Sequence, residues 1–208
     1  DDGRVYYERC RDVLADVDEL DGLFRRDDAP LTGRVRVDMP AGVARHAVLP
    51  RLPEFLARHP GLSVELSSVD RRVEVLREGF DCVLRVGALH DSTLVARPLG
   101  ALRQINCASP AYLAEYGVPG SPAELAAHKC IFFRFPATGL IQPWELRGMR
   151  LTGDFRAAAV MTVNNIEAAI RLSAAGMGIA YVPDFVVREA MDEGQLQEVL
   201  PGCCIKDG

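Results

Sequence analysis

The chain has 208 residues, 49% of them hydrophobic and 25% charged, with 24 Lys+Arg against 29 Asp+Glu and a formal net charge of −5. This composition fits a folded chain of one domain or two small ones and excludes collagen-like and disordered classes. The longest nearly uncharged apolar run, residues 172–183, is too short and Gly-rich for a bilayer span of about 20 apolar residues.

The first residues are acidic and lack the apolar core of a secretory signal, so no membrane partner or export is expected. Residues 1–28 hold ten acids and five bases, which leaves the remaining residues balanced. No basic stripe is present on which nucleic acid could dock. Any DNA contact is expected from a part outside this sequence. The cysteines Cys10, Cys82, Cys107, Cys130, Cys203 and Cys204 form no C-x-x-C pair. They are expected to be small buried hydrophobes in a reducing compartment, which implies a cytoplasmic chain.

In chain order, residues 4–24 contain no Pro, and Tyr6, Cys10, Val13, Val17, Leu20 and Phe24 recur at alternating steps of four and three. That seam predicts an amphipathic dimerising linker helix over 1–28, set off by the break at 27–30. Residues 33–39 alternate as a strand. Residues 41–60 have helical periodicity, with Pro50 and Pro53 predicting a kink or a restart. Strands are expected at 62–69 and 80–86, around a helix at 71–79 that Gly79 ends. Strand–helix–strand–helix–strand predicts an open parallel sheet.

A second pass follows. An extended stretch at 93–109 leads to a helix with Ser109 as N-cap and Pro110 in its first turn. Ser121 and Glu124 fit a capping box. Residues 129–135 read as a buried strand and 144–163 as a hairpin plus a strand. Residues 164–176 read as a helix capped by Asn164 or Asn165, followed by a strand at 177–183 and a last helix at 184–194.

The expectation is α/β, with two Rossmann-like lobes. Lobe I takes 33–107 and 184–208, lobe II takes 108–183, and the crossovers lie near 107–109 and 181–184. A cleft between the lobes is expected to hold a ligand, at strand C-termini facing helix N-termini.

No nucleophile elbow and no phosphate-binding P-loop occurs. Gly176 and Gly178 follow a helix instead of opening one, which argues against a dinucleotide cofactor. His46, His59, His90 and His128 lack metal spacing, and only His46 is a candidate for chemistry. The sequence reads as a binding protein with no cofactor and no metal, and not as an enzyme.

The order of "GRVRVDMPAGVARHAVLPRLPEFLARHPGLSVELSS", "EVLREGFDCVLRVG", "LVARPLGALRQINCASPAYLAEYG" and "VNNIEAAIRLSAAGMGIAYVP" resembles the effector-binding domain of LysR-type transcriptional regulators. The resemblance runs from residue 33 to about 200, with the heptad helix similar to that family's linker helix. It implies lobes of the periplasmic-binding-protein type that close on a small-molecule effector, a homodimer or homotetramer, and DNA contact only through an N-terminal winged helix-turn-helix that this sequence lacks. The family's last strand and helix return to the first lobe, and this sequence departs from that pattern at "LPGCCIKDG".

Three places are expected to face the ligand. The first is Met39, Pro40, Ala41, Gly42 and Val43, where backbone N–H groups at a helix start favour an anion. The second is Ser67 and Ser68 at the end of a strand, where hydroxyls can orient a ligand. The third is Phe133, Arg134, Asn164 and Asn165 on the opposing lobe. Arg134 or Arg85 could fork onto a ligand carboxylate. One anionic or aromatic metabolite bridging the lobes is the resulting expectation. The alternatives are a stand-alone solute-binding receptor of the same architecture and a small enzyme using His46 or Arg134.

Overall fold

The computed structural model describes residues 2, 3, 5–7, 9, 10, 13, 30–70, 75–87, 94–152 and 159–205. In chain order the labelled elements are β1 (Thr32–Asp38), α1 (Ala41–Val43), α2 (Leu52–Arg58), β2 (Gly61–Ser67), α3 (Val75–Glu78), β3 (Cys82–Val83), β4 (Gln104–Ala108), α4 (Pro110–Tyr116), β5 (Cys130–Phe133), β6 (Trp144–Leu146), β7 (Met149–Leu151), β8 (Ala159–Val163), α5 (Ile166–Ala174), β9 (Ile179–Pro183), α6 (Arg188–Asp192) and β10 (Gln197–Val199). Of the expected linker-helix seam, Tyr6, Cys10 and Val13 are helical, and Val17, Leu20 and Phe24 lie outside the described residues. No helix of the described residues is long and apolar enough to cross a membrane.

The chain divides into two compact units. One is Asp1–Met39, Arg51–Ser67 and Val73–Leu84; the other is Pro40–Pro50, Ser68–Arg72 and Arg85–Gly208.

The first unit is the parallel sheet expected, in the order β2-β1-β3. β1 and β2 pair from Thr32↔Gly61 to Asp38↔Ser67, and β3 joins through Val37↔Cys82 and Asp38↔Val83. Arg36 ties the edge together. Its Nη1 donates to the carbonyls of Glu78 (3.1 Å) and Gly79 (2.9 Å), which caps the C-terminal end of α3. Gly79 sits at φ +69°, a backbone conformation that favours glycine, and a Cβ there would lie 2.6 Å from Arg36 Nη1 and push that side chain off its carbonyls. Arg36→Ala should therefore cost about 1–2 kcal/mol, because two carbonyls lose their donor. A urea titration measures it, and a midpoint equal to that of the wild type would show that this cap is dispensable.

The second unit is a five-stranded mixed sheet in the order β10-β4-β9-β5-β8. β5 runs parallel to both β8 and β9, while β4 is antiparallel to β9 and to β10. Alternation along the strands feeds two cores. Phe132, Ile179 and Tyr181 join Trp144 and Tyr112 on one face, and Ile131, Ala180 and Val182 join Ala169 and Ile170 of α5 on the other. Trp144 stacks on Tyr181 at 5.5 Å between ring centroids and leans on Phe132 at 5.4 Å. Ser173, fully buried on α5, donates to the carbonyls of Cys107 and Gly178, both at 3.0 Å, and so pins that helix to the sheet.

Several expectations shift. Of the stretches read as lobe I, 33–107 and 184–208, residues 85–107 and 184–208 belong to the second compact unit, where β10 pairs with β4. The stretches read as crossovers, 107–109 and 181–184, include ends of β4 and β9, antiparallel partners in one sheet. The helix at 41–60 restarts as expected: α1 widens into a π-helical turn at Ala44–Val48, and α2 begins with Pro53 near its start. Ser109 caps α4 as expected, accepting from Tyr112 N–H at 3.2 Å. The box at Ser121 is incomplete. Glu124 bonds the Ser121 hydroxyl and the Gly120 N–H, and Pro122–Ala127 winds as a 3₁₀ helix. Cys107 and Cys130 are fully buried, as expected of core thiols, whereas Cys82 is exposed.

Candidate functional site

In the second unit, the parallel strands β5 and β8 end side by side, with Phe133 opposite Val163 and Arg134 N–H donating to Val163 O at 2.7 Å. The chain then passes Asn164 and enters α5. The side-chain oxygen of Asn165 accepts from Glu167 N–H (2.9 Å) and Ala168 N–H (3.2 Å), so of the two expected caps Asn165 serves and Asn164 remains exposed. Strand C-termini next to a helix N-terminus are where α/β sheets take ligands.

The segment from Pro40 to Val48 docks on this start of α5. A Cβ on Gly42 would meet Ile166 Cγ2 at 3.1 Å and Val186 Cγ1 at 3.5 Å. His46 Nε2 lies 2.7 Å from Glu167 Oε1, with the His46 side chain 13% exposed, and Arg45 Nε lies 3.6 Å from the same oxygen. The structure therefore places Pro40–Val48 against the start of α5, and Phe133–Arg134 beside Val163 just before that helix.

The local chemistry differs from the expectation in three details. Gly42 is buried and close-packed, so its small size serves contact with α5 as much as access to a ligand. Ala41 N–H is engaged by Asp70 Oδ1 at 3.3 Å, so the chain supplies its own carboxylate at this helix start. The Arg134 guanidinium donates to Gly139 O at 2.6 Å, across the turn that follows β5. Phe133 is half-buried and meets Phe135 edge-on at 5.7 Å, while Phe132 on the other face is core, as strand alternation required.

The remaining expected residues stand elsewhere. Met39 is buried in the first unit, its N–H donating to Ser67 O at 3.2 Å, and Ser67 is half-buried at the end of β2. Ser68 is exposed, and Arg85 is half-buried just beyond β3. Asp38, fully buried at the end of β1, was not singled out by the sequence reading.

Sequence reasoning also missed Asp70 and Glu167. An acid in the first turn of a helix is explained by the helix alone, so nothing marked Glu167 as the partner of a histidine 121 positions away. No group of three or more His, Cys, Asp or Glu able to hold a metal occurs among the described residues. His128 is a buried structural residue, its Nδ1 3.1 Å from the Tyr112 hydroxyl. Burial pushes the Cys107 and Cys130 thiols up to about 12 and Cys204 to about 11, which is opposite to what a nucleophile needs.

Residues 28–206 match the LysR substrate binding domain family. The chain belongs to that family. This LysR domain is 45% identical over 203 residues to the uncharacterized HTH-type transcriptional regulator YhjC of Escherichia coli K12, covering 97% of this chain and 67% of the relative. It is 34% identical to the HTH-type transcriptional activator AaeR of the same strain, covering 96% of this chain and 64% of the relative. The regulatory domain of CrgA, a LysR-type transcriptional regulator from Neisseria meningitidis, superposes with a TM-score of 0.72 at 29% identity, covering 84% of each chain. The LysR domain described here thus spans about two thirds of the length of these curated relatives. The fold is the two-lobed, periplasmic-binding-protein-like α/β architecture of these regulatory domains.

Proposed function

We propose that this chain is the effector-sensing part of a LysR-type transcriptional regulator in the cytoplasm, working as a homodimer or homotetramer and reaching DNA through an N-terminal helix-turn-helix module. Its effector is a small anionic or aromatic metabolite. The observation that carries the proposal is the meeting of Pro40–Val48 with the start of α5 beside the ends of β5 and β8. The exposed Asn164 amide and the half-buried Phe133 ring, beside those strand ends, suit a carboxylate attached to a ring. Ser68 and Arg85, of the same unit, complete the proposed set.

Binding there does not require bond making. The effector shifts a conformational equilibrium only by its differential affinity for the two states. The family names of the relatives support a regulatory role and no enzymatic one.

A thermal-shift screen of carboxylate metabolites tests the proposal. At a hundredfold excess over its Kd, an effector stabilises the fold by about 2.7 kcal/mol. Ala41→Trp, which fills the helix start, should abolish that response while leaving the unliganded melting temperature near the wild-type value. A metabolite that stabilises wild type and Ala41→Trp equally would remove Pro40–Val43 from the site.

A further inference from the structure

Strand β4 carries an anomaly on one face. Gln104 and Asn106, two residues apart and so on the same side, are 6% and 0% exposed, yet neither side-chain carbonyl oxygen has a hydrogen-bond partner among the described residues. Buried polar atoms are satisfied in nine cases of ten or more, so the orphaned Gln104 oxygen, whose residue lines a cavity as Asn106 does not, calls for a donor from elsewhere. The Asn106 amide nitrogen is spent on Cys204 Sγ at 3.2 Å.

Beside this face lies a cavity of about 720 Å³ lined by Gln104, Cys204, Ile205, Arg103, Glu198 and Arg147. Its size falls within the range of small-molecule sites. Arg103 and Glu198 are paired across β4 and β10 at 2.8 Å. Arg147 makes no ion pair among the described residues, and only its backbone is tied down, by Arg147 N–H to Cys203 O at 2.8 Å.

We propose that this cavity is a second ligand site, apart from the effector surface, for a free α-amino acid. Three complementary needs are met at once. An ammonium group brings three N–H donors to the Gln104 oxygen, with the Glu198 carboxylate nearby for its charge. The α-carboxylate takes the forked guanidinium of Arg147. An aliphatic side chain rests on Ile205 and Cys204. A plain carboxylic acid satisfies only the arginine and leaves the amide oxygen an orphan.

The experiment titrates the purified chain with L-valine and with 3-methylbutanoate, the same skeleton without the ammonium group, and follows assigned backbone amide shifts. Valine should give saturable shifts at Gln104, Glu198 and Ile205 and none at Ala44 or Glu167. The ammonium-free acid should bind about tenfold more weakly, as loss of a charged hydrogen bond requires. Arg147 is exposed, so Arg147→Ala should fold normally and lose about tenfold in valine affinity, with Arg147→Lys recovering part of it. Ala41→Trp should bind valine as the wild type does, which separates this site from the proposed effector surface. Absence of saturable shifts, equal binding of the two probes, or undiminished binding to Arg147→Ala would overturn the proposal.

Discussion

Gly178→Ala is expected to destabilise the second unit by about 3–5 kcal/mol, since it combines backbone strain with an overpacked contact. Gly178 has φ +153°, and an added Cβ would sit 2.5 Å from Lys129 O and 2.9 Å from Lys129 C. Those atoms are backbone and cannot swing aside. Lys129 O accepts the Ile179 N–H at 2.8 Å and stands immediately before β5, while Gly178 O accepts from Ser173 at 3.0 Å. Any relief therefore disturbs the β5–β9 pairing and the anchor of α5 together. With total stability of about 5–15 kcal/mol for a domain, the change removes a large fraction. A melting temperature about 10 °C lower is the expected readout by circular dichroism. Gly194→Ala is the matched control: φ is +71° there with nothing within 4 Å of the added Cβ, so only about 1 kcal/mol of conformational cost applies. Equal melting temperatures for the two variants would mean that the contact at Lys129 relaxes freely.

This glycine also shows where sequence reading stops. The run 177–183 was legible as a strand, because buried parallel strands are continuous apolar runs. That Gly178 is required by the carbonyl of Lys129, far upstream, was not. β1, β2, β5, β8 and α5 were legible for the same reason of pattern, and Ser109 and Asn165 were legible as caps by residue type. β10 was not, since Gln197–Val199 is three residues with a polar start and no alternation to detect. That β4 and β9, the stretches read as crossovers, lie side by side as antiparallel neighbours was not legible either, since neither run names its partner. At the candidate site, the loops after β1 and β5 and the start of α5 were found from general rules about helix starts and strand ends. Asp70 on Ala41 and Glu167 on His46 were not found, because both depend on contacts that only the folded chain makes.

The His46–Glu167 contact has the largest expected effect on the proposed effector surface. Glu167 belongs to the first turn of α5, its backbone N–H held by Asn165, and its carboxylate reaches His46 at 2.7 Å. Both side chains are substantially buried, 13% and 27% exposed, so water screens the contact poorly. Arg45, 58% exposed and 3.6 Å away, should add little. Glu167→Ala is therefore expected to cost about 1.5–3 kcal/mol, and Glu167→Gln less, since an amide oxygen can still accept from the imidazole. In a double-mutant cycle with His46→Ala, a coupling of about 1–2 kcal/mol should appear, against almost none with Arg45→Ala. Amide hydrogen exchange locates the effect. Ala44 N–H, bonded to Pro40 O at 2.9 Å, and Leu49 N–H, bonded to Ala44 O at 2.8 Å, should exchange faster in Glu167→Ala while the β5–β9 amides keep their protection. With Pro40–Val48 part of the proposed effector surface, the stabilisation by any effector found in the thermal screen should fall with it. If the cycle shows no coupling and the two amides stay protected, the segment is held by the packing of Gly42 on Ile166 alone, and the His46–Glu167 contact has no part in shaping the site.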